Sequence, residues 1–259
     1  FLDGAAPAPA EIAIAWDPVN DIVNWTAVGC TDAVKNSIKG LHKVLWHGDY
    51  PVDVARLDLD VVDDDLTPYR VVYLPFSPRI SAASAMKLRQ YVEGGGTLVA
   101  VASAAQFDDT MRVTTVVPGQ GLAELFGCRR ADVRTMPAAR IPALRVGRRK
   151  IPARMHKEIL APADGARVLG TFATGEPAVV ENRVGKGKAI YIGTNVFMAY
   201  CDEAGEALAN WVHQLNRDVR RPAWTDVPDV VCPTLVRGET KLVSLLNTRP
   251  EPTEVTLTV

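Results

Sequence analysis

The 259-residue chain has no apolar run near the roughly 18 residues that span a bilayer, and no basic-then-apolar segment opens it. A soluble chain with no membrane partner is predicted. There is no charge excess either: Lys+Arg 29 against Asp+Glu 30 gives a net charge of -1. No global field therefore recruits nucleic acid. Cysteine is sparse, and Cys30, Cys128, Cys201 and Cys232 form no CxxC pair and meet no histidine at metal spacing. Four free thiols in a reducing, cytoplasmic compartment are expected, with no metal and no other cofactor.

What is present is ordinary globular material, 47% hydrophobic and 23% charged, enough for one large domain or one domain plus a fragment. Residues 1–10 (FLDGAAPAPA) show no periodicity and read as a linker. Residues 11–17 (EIAIAWD) form a first strand that stops at Pro18. A helix is predicted over 31–47, where Asp32 can cap and Val34, Ile38, Leu41, Leu45 and Trp46 fall at helical spacing. Residues 51–57 and 69–76 are the next strands, the latter almost wholly apolar, as a strand buried on both faces should be. A helix over 81–94 ends in three glycines and delivers the strand 97–103. This order of strands and helices predicts an open α/β sheet.

Beyond it the pattern loosens. A short helix lies within 118–127, a small hairpin within 144–153, and strands over 166–172, 178–184 and 188–194. The last two join at a tight turn, Gly185-Lys186-Gly187. A final helix covers 202–215, and after Arg220-Arg221-Pro222 the chain turns all-β over 230–236, 241–247 and 254–259.

Catalytic groups of open α/β sheets sit beyond the carboxyl ends of the strands, here Ala102-Ser103-Ala104-Ala105-Gln106. Ser103 is the nucleophile on offer there, although alanines replace the glycines that usually flank such an elbow. His156 and Glu158 complete the residue types of a triad, against the plainer reading of a strand-end serine. Asp58, Asp60, Asp63, Asp64 and Asp65 lack the glycine and terminal glutamate of a calcium loop and read as a solvated loop. Gly185 and Gly187, with Lys186 and Lys188, join two strands rather than a strand and a helix, so they make a turn and not a phosphate loop. His42, His47 and His213 lie singly on helices and read as structural or exposed. Trp16 and Trp25 flank the loop leaving the first strand, where they can stack on a sugar or a partner chain, or be buried.

One segment breaks the charge balance. Residues 129–157 carry Arg129, Arg130, Arg134, Arg140, Arg145, Arg148, Arg149, Lys150, Arg154 and Lys157 against Asp132. No aromatic residue interleaves them, so stacking on bases is not supported. Either a solvated loop or a surface for an acidic partner, including the 58–65 aspartates of the same or another subunit, fits this composition.

Residues 48–54 (GDYPVDV), 69–75 (YRVVYLP) and especially 88–99 (LRQYVEGGGTLV) resemble consecutive motifs of one family. So do Asp108-Asp109, the run from Pro118-Gly119 to Leu125-Phe126-Gly127, and residues 177–180 and 185–194. The family is the middle, trimerisation domain of the β-galactosidases of glycoside hydrolase family 42, and the resemblance covers about 11–215. Residues 230–259, with Leu245-Leu246-Asn247, resemble the opening of that family's C-terminal β domain.

The resemblance implies a mostly parallel, flavodoxin-like or class I glutamine-amidotransferase-like sheet with helices on both faces. It divides the chain into a linker (1–10), a trimerisation domain (11–221) and the start of a C-terminal β domain (222–259). It also implies a nucleophile lost from the elbow and catalytic glutamates on a (β/α)8 barrel elsewhere in the parent polypeptide. No pair of carboxylates about 5 Å apart on a sugar cleft can be placed in this chain, and no catalytic, cofactor-binding, metal or substrate-binding residue is assigned. The expected partners are further copies of the chain, as a homotrimer, and the parent's barrel. The rival readings are a stand-alone amidotransferase-like hydrolase using Ser103 and a sugar-binding module using Trp16 and Trp25.

Overall fold

The structure, a computed structural model, describes residues 3–57, 65–135, 137, 141–203 and 205–259. Its centre is a mixed nine-stranded sheet. The amino-terminal part supplies β2 (Ile12–Trp16), β3 (Val52–Arg56), β4 (Val71–Leu74) and β5 (Thr97–Val101), while β1 (Ala6–Pro7) lies outside it. α1 (Val19–Val28) and α2 (Asp32–Trp46) lie between β2 and β3, and α3 (Ala82–Gly94) lies between β4 and β5. After α4 (Leu122–Phe126) come β6 (Cys128–Thr135), β7 (Leu144–Val146), β8 (Arg149–Ile151), β9 (His156–Pro162), β10 (Arg167–Phe172), β11 (Pro177–Val184) and β12 (Gly187–Ile192). Two helices follow, α5 (Val196–Asp202) and α6 (Glu206–Leu215).

The strand order is β3-β2-β4-β5-β12-β11-β10-β7-β8. The first five run parallel, and the rest add as antiparallel neighbours. The expectation of a mostly parallel sheet therefore holds for that first half only. The physical reason is connection length. Helical crossovers join β2 to β3 and β4 to β5, whereas tight turns join β7 to β8, β10 to β11 and β11 to β12, and a tight turn reverses the chain.

Strand alternation divides the core into two layers. Ile12, Ile14, Val71, Tyr73, Val99, Val101, Ile190 and Ile192 pack with α2, α5 and α6. Ala13, Ala15, Val72, Leu74, Leu98, Ala100, Ala189 and Tyr191 pack with α3 and α4. α2 and α5 approach so closely that a Cβ on Gly40 would collide with the Phe197 carbonyl oxygen.

Three local expectations change. The loop after β2 is the helix α1, because Asp17 Oδ1 accepts the Val19 N–H at 2.9 Å and starts a helical turn directly after the strand. Much of the basic segment 129–157 is regular: β6 and β9 pair as an antiparallel ribbon, and their dense arginines mask the strand alternation. The last helix is two helices that begin earlier, at Val196.

The C-terminal strands are β13 (Trp224–Thr225), β14 (Val230–Val231), β15 (Thr234–Arg237), β16 (Thr240–Val243), β17 (Leu246–Asn247) and β18 (Leu257–Thr258). They pair β13 with β18, β14 with β17, and β15 with both β16 and β1. Asp49 clasps this segment to the sheet domain. It adopts φ 58, and its carboxylate accepts the Cys232 N–H at 2.7 Å and the Thr225 N–H at 3.0 Å. Arg221 stacks on Trp224 and Tyr50, with centroid distances of 4.4 and 5.6 Å.

Candidate functional site

β5 runs directly into the candidate elbow. Ser103 and Ala105 both take left-handed backbone conformations, φ 70 and φ 50. Non-glycine residues there carry about 1–3 kcal/mol of strain, so the tight turn forms without the glycines whose absence the sequence shows. Backbone bonds hold it: Ala105 N–H donates to Ser77 O at 3.1 Å, and Gly119 N–H to Ala105 O at 3.0 Å.

The elbow is filled from within. Glu158 on β9 is 0% exposed, and its Oε1 accepts the Ser103 N–H at 3.1 Å and the Ser103 hydroxyl at 3.4 Å. Arg130 Nη1 on β6 donates to the same oxygen at 3.1 Å and to Gln106 Oε1 at 2.9 Å. The Tyr191 hydroxyl on β12 donates to Oε2 at 2.8 Å. Burial, and then the Glu158 charge, push the Tyr191 hydroxyl well above its ordinary pKa; the same two causes, in that order, raise the Cys128 thiol to about 12. Both groups stay protonated at neutral pH.

The three residues named as a triad do not assemble into one. Ser103 and Glu158 meet directly, while His156 turns to Thr135, with Nδ1 3.2 Å from Oγ1. Its pKa is lowered, chiefly by burial, so the ring is held neutral away from the serine. A Ser-His-acid triad needs the histidine between carboxylate and hydroxyl, and room for a substrate beside them. Ser103 is 2% exposed, and its acceptor is already shared with a guanidinium. The cluster is a satisfied buried network that secures the turn.

The other residues singled out from the sequence separate as well. Asp58, Asp60, Asp63 and Asp64 lie outside the described residues, and Asp65 closes a turn by accepting from Thr67. Among the described residues, no group of three His, Cys, Asp or Glu side chains could hold a metal ion. Gly185 and Gly187 make the β11–β12 turn; a Cβ at Gly187 would meet the carbonyls of Val92 and Gly96. His47 pairs with Tyr200 at 3.1 Å and His213 with Tyr50 at 3.0 Å. Trp16 donates Nε1–H to Asp21 at 3.2 Å, while Trp25 stands 60% exposed.

Much of the basic segment is used internally. Arg130 faces Glu158, Arg154 faces Asp202 at 3.2 Å, and Arg134 faces Asp132 at 3.2 Å. Lys157, 3% exposed, donates to Glu176 at 2.6 Å and to Thr174 at 3.0 Å. Arg140 lies outside the described residues. Sequence reasoning missed the Glu158–Arg130–Tyr191 network. Its available signal was one glutamate set in the strand HKEILAP.

β-Galactosidase BgaB of Geobacillus sp. (strain Y412MC61) is 28% identical over 195 residues, covering 71% of this chain and 28% of that protein. β-Galactosidase LacZ of Lactobacillus acidophilus is also 28% identical over 195 residues, covering 72% and 28%. The chain thus spans little more than a quarter of these relatives' length. In fold it is similar to a catalytic mutant of Gan42B, a GH42 β-galactosidase from G. stearothermophilus: TM-score 0.78, 22% identity, 93% of this chain and 35% of that one. The β-galactosidase from Bacillus circulans sp. alkalophilus gives TM-score 0.78 at 17% identity, with 93% and 36% covered. The sequence profile of the β-galactosidase trimerisation domain matches residues 10–216, from the approach to β2 to the end of α6. With that match over most of its length, the chain belongs to the β-galactosidase trimerisation domain family.

Proposed function

We propose that this chain is the non-catalytic oligomerisation domain of a larger β-galactosidase-like glycoside hydrolase and assembles it as a homotrimer. Hydrolysis of terminal β-galactosides then belongs to a (β/α)8 barrel of the same parent polypeptide. The observation that carries the reading is the sealed elbow: Ser103 is 2% and Glu158 0% exposed, bonded to each other with no histidine between them. An amidotransferase-like sheet whose nucleophile position has been closed is suited to assembly and not to acyl transfer. The stand-alone hydrolase and the sugar-binding module are not favoured.

In this reading residues 1–10 are a linker, 11–221 the trimerisation domain and 222–259 the start of a C-terminal β domain held by the Asp49 clasp. No helix among the described residues is long and apolar enough to cross a membrane, and all four cysteines are free. Both features are compatible with the proposed cytoplasmic location. No catalytic, metal, cofactor or substrate residue is assigned. Sedimentation velocity over a concentration series tests assembly, and a nitrophenyl-galactoside assay tests inactivity. Turnover that follows the protein through purification and vanishes in Ser103→Ala would overturn the reading.

A further inference from the structure

Two cavities differ in what their walls leave unpaired. One of about 810 Å³ lies between α3 and the amino ends of β4 and β5. Several of its charged groups are already engaged: Arg70 with Glu11 at 3.0 Å, Asp218 with Arg217 at 3.4 Å, and Asp65 with Thr67. The other, about 520 Å³, opens where the ends of α2 and α6 meet the segment that follows Arg221. A cavity of that size suits a small molecule.

Its neighbouring acceptors are engaged. At the end of α2, Leu45 O takes the N–H groups of Gly48 and Tyr50, and Trp46 O takes that of Asp49. Gly48 O takes Arg221 Nη1 at 3.3 Å. At the end of α6, Asn216 O takes Val219 N–H. The Asp49 carboxylate accepts from Thr225 and Cys232, and Asp226, on the cavity wall, accepts Thr256 N–H at 2.9 Å.

The donors are left over. Asn216, 1% exposed and part of the same wall, accepts the Tyr73 hydroxyl on Oδ1 at 2.9 Å, but its Nδ2 has no partner among the described residues. A buried donor in that state costs stability until an acceptor is supplied. Arg221 lies between the rings of Trp224 and Tyr50, and beyond its bond to Gly48 its N–H groups find no acceptor among the described residues. A guanidinium fixed in this way presents a planar fork that matches a carboxylate. Much of the remaining wall is aromatic. The Tyr50 hydroxyl pairs with His213 Nδ1 at 3.0 Å, and a Cβ on Gly48 would come within 2.9 Å of both rings.

We propose that this cavity is a binding site for a small carboxylate with a flat body, its oxygens taken by Arg221 and Asn216 and its body laid against the Trp224, Tyr50 and His213 rings. Occupancy needs neither a second copy of the chain nor a catalytic barrel, so the site stands apart from assembly.

Isothermal titration calorimetry of the intact 259-residue chain with benzoate, and with benzamide as its uncharged counterpart, is the test. Benzoate should bind saturably at a single site per chain. Benzamide should bind about tenfold more weakly or worse, because it brings no charge to the guanidinium. Arg221→Met should weaken benzoate by about tenfold or more. Asn216→Asp should do the same, since it keeps an acceptor for the Tyr73 hydroxyl but places an oxygen where the donor was. Circular dichroism confirms folding, and either variant serves alone if the other does not fold. Benzoate that fails to saturate by about 10 mM overturns the proposal. So does benzoate affinity within about twofold of the parent in a folded Arg221→Met or Asn216→Asp chain, or benzamide binding as tight as benzoate.

Discussion

Replacing Glu158 by alanine removes the one acceptor on which the closed elbow is organised. The carboxylate is fully buried and takes four donations, from Ser103 N–H, Ser103 Oγ–H, Arg130 Nη1 and Tyr191 O–H. In Glu158→Ala those donors lose their shared acceptor inside the core, and the Arg130 charge is left in a site only 16% exposed. Breaking a buried pair from one side costs about 3–5 kcal/mol. That is a large part of the roughly 5–15 kcal/mol by which domains are stable. Thermal unfolding followed by circular dichroism should show a midpoint lowered by roughly 10 °C, at about 2–4 °C per kcal/mol for chains of this size.

The distinguishing control changes the whole network together. Arg130→Met, Glu158→Leu and Tyr191→Phe in combination remove the charges and most of the orphaned donors. Apolar replacement of a buried pair is often neutral or better, so the triple variant should recover at least about half of the single variant's loss. A Glu158→Ala midpoint within about 2 °C of the parent would refute the reasoning, since a loss under about 1 kcal/mol means the donors found other partners. A triple variant less stable than Glu158→Ala would refute it differently, showing that side-chain shape rather than charge holds the turn.

Asp49→Ala should free the C-terminal β segment by removing the acceptor for Thr225 N–H and Cys232 N–H; limited proteolysis should then cut near Arg220-Arg221, and an unchanged digestion pattern would contradict the clasp. Gly40→Ala should destabilise by about 1–3 kcal/mol, because the new methyl meets the Phe197 carbonyl of α5 and the helices must separate; an unchanged urea midpoint would show that α2 and α5 can shift freely. Burial lowers the pKa values of His47, His156 and His213 below 6.5, so the unfolded chain binds more protons than the native one as the pH falls through that value. Stability should therefore be full above about pH 7 and decline as the pH falls to about 5.5; a midpoint that rises over that interval would refute the assignment.

Local sequence reported those parts of the molecule whose physics is local. Residues 71–74 and 97–101 are continuous apolar runs, and a run with no polar face must be covered on both sides, which the two helical layers do. Gly185 and Gly187 marked the β11–β12 turn because positive φ and close backbone approach both exclude a side chain. The family resemblance was carried by these same local motifs.

Tertiary structure decided what depends on groups distant in the chain. Ser103 and Glu158 are 55 residues apart, and Asp49 reaches 183 residues to Cys232. No periodicity encodes such meetings, because register and crossover geometry determine which polar atoms face each other once the strands pair. The β6–β9 ribbon escaped notice for a related reason: its arginines read as a solvated loop, and only their tertiary partners, the buried Glu158 and the partly exposed Glu176, reveal Arg130 and Lys157 as inward-facing charges. The sealed elbow was settled by packing, where burying a charge is permitted only if a partner arrives from elsewhere in the chain.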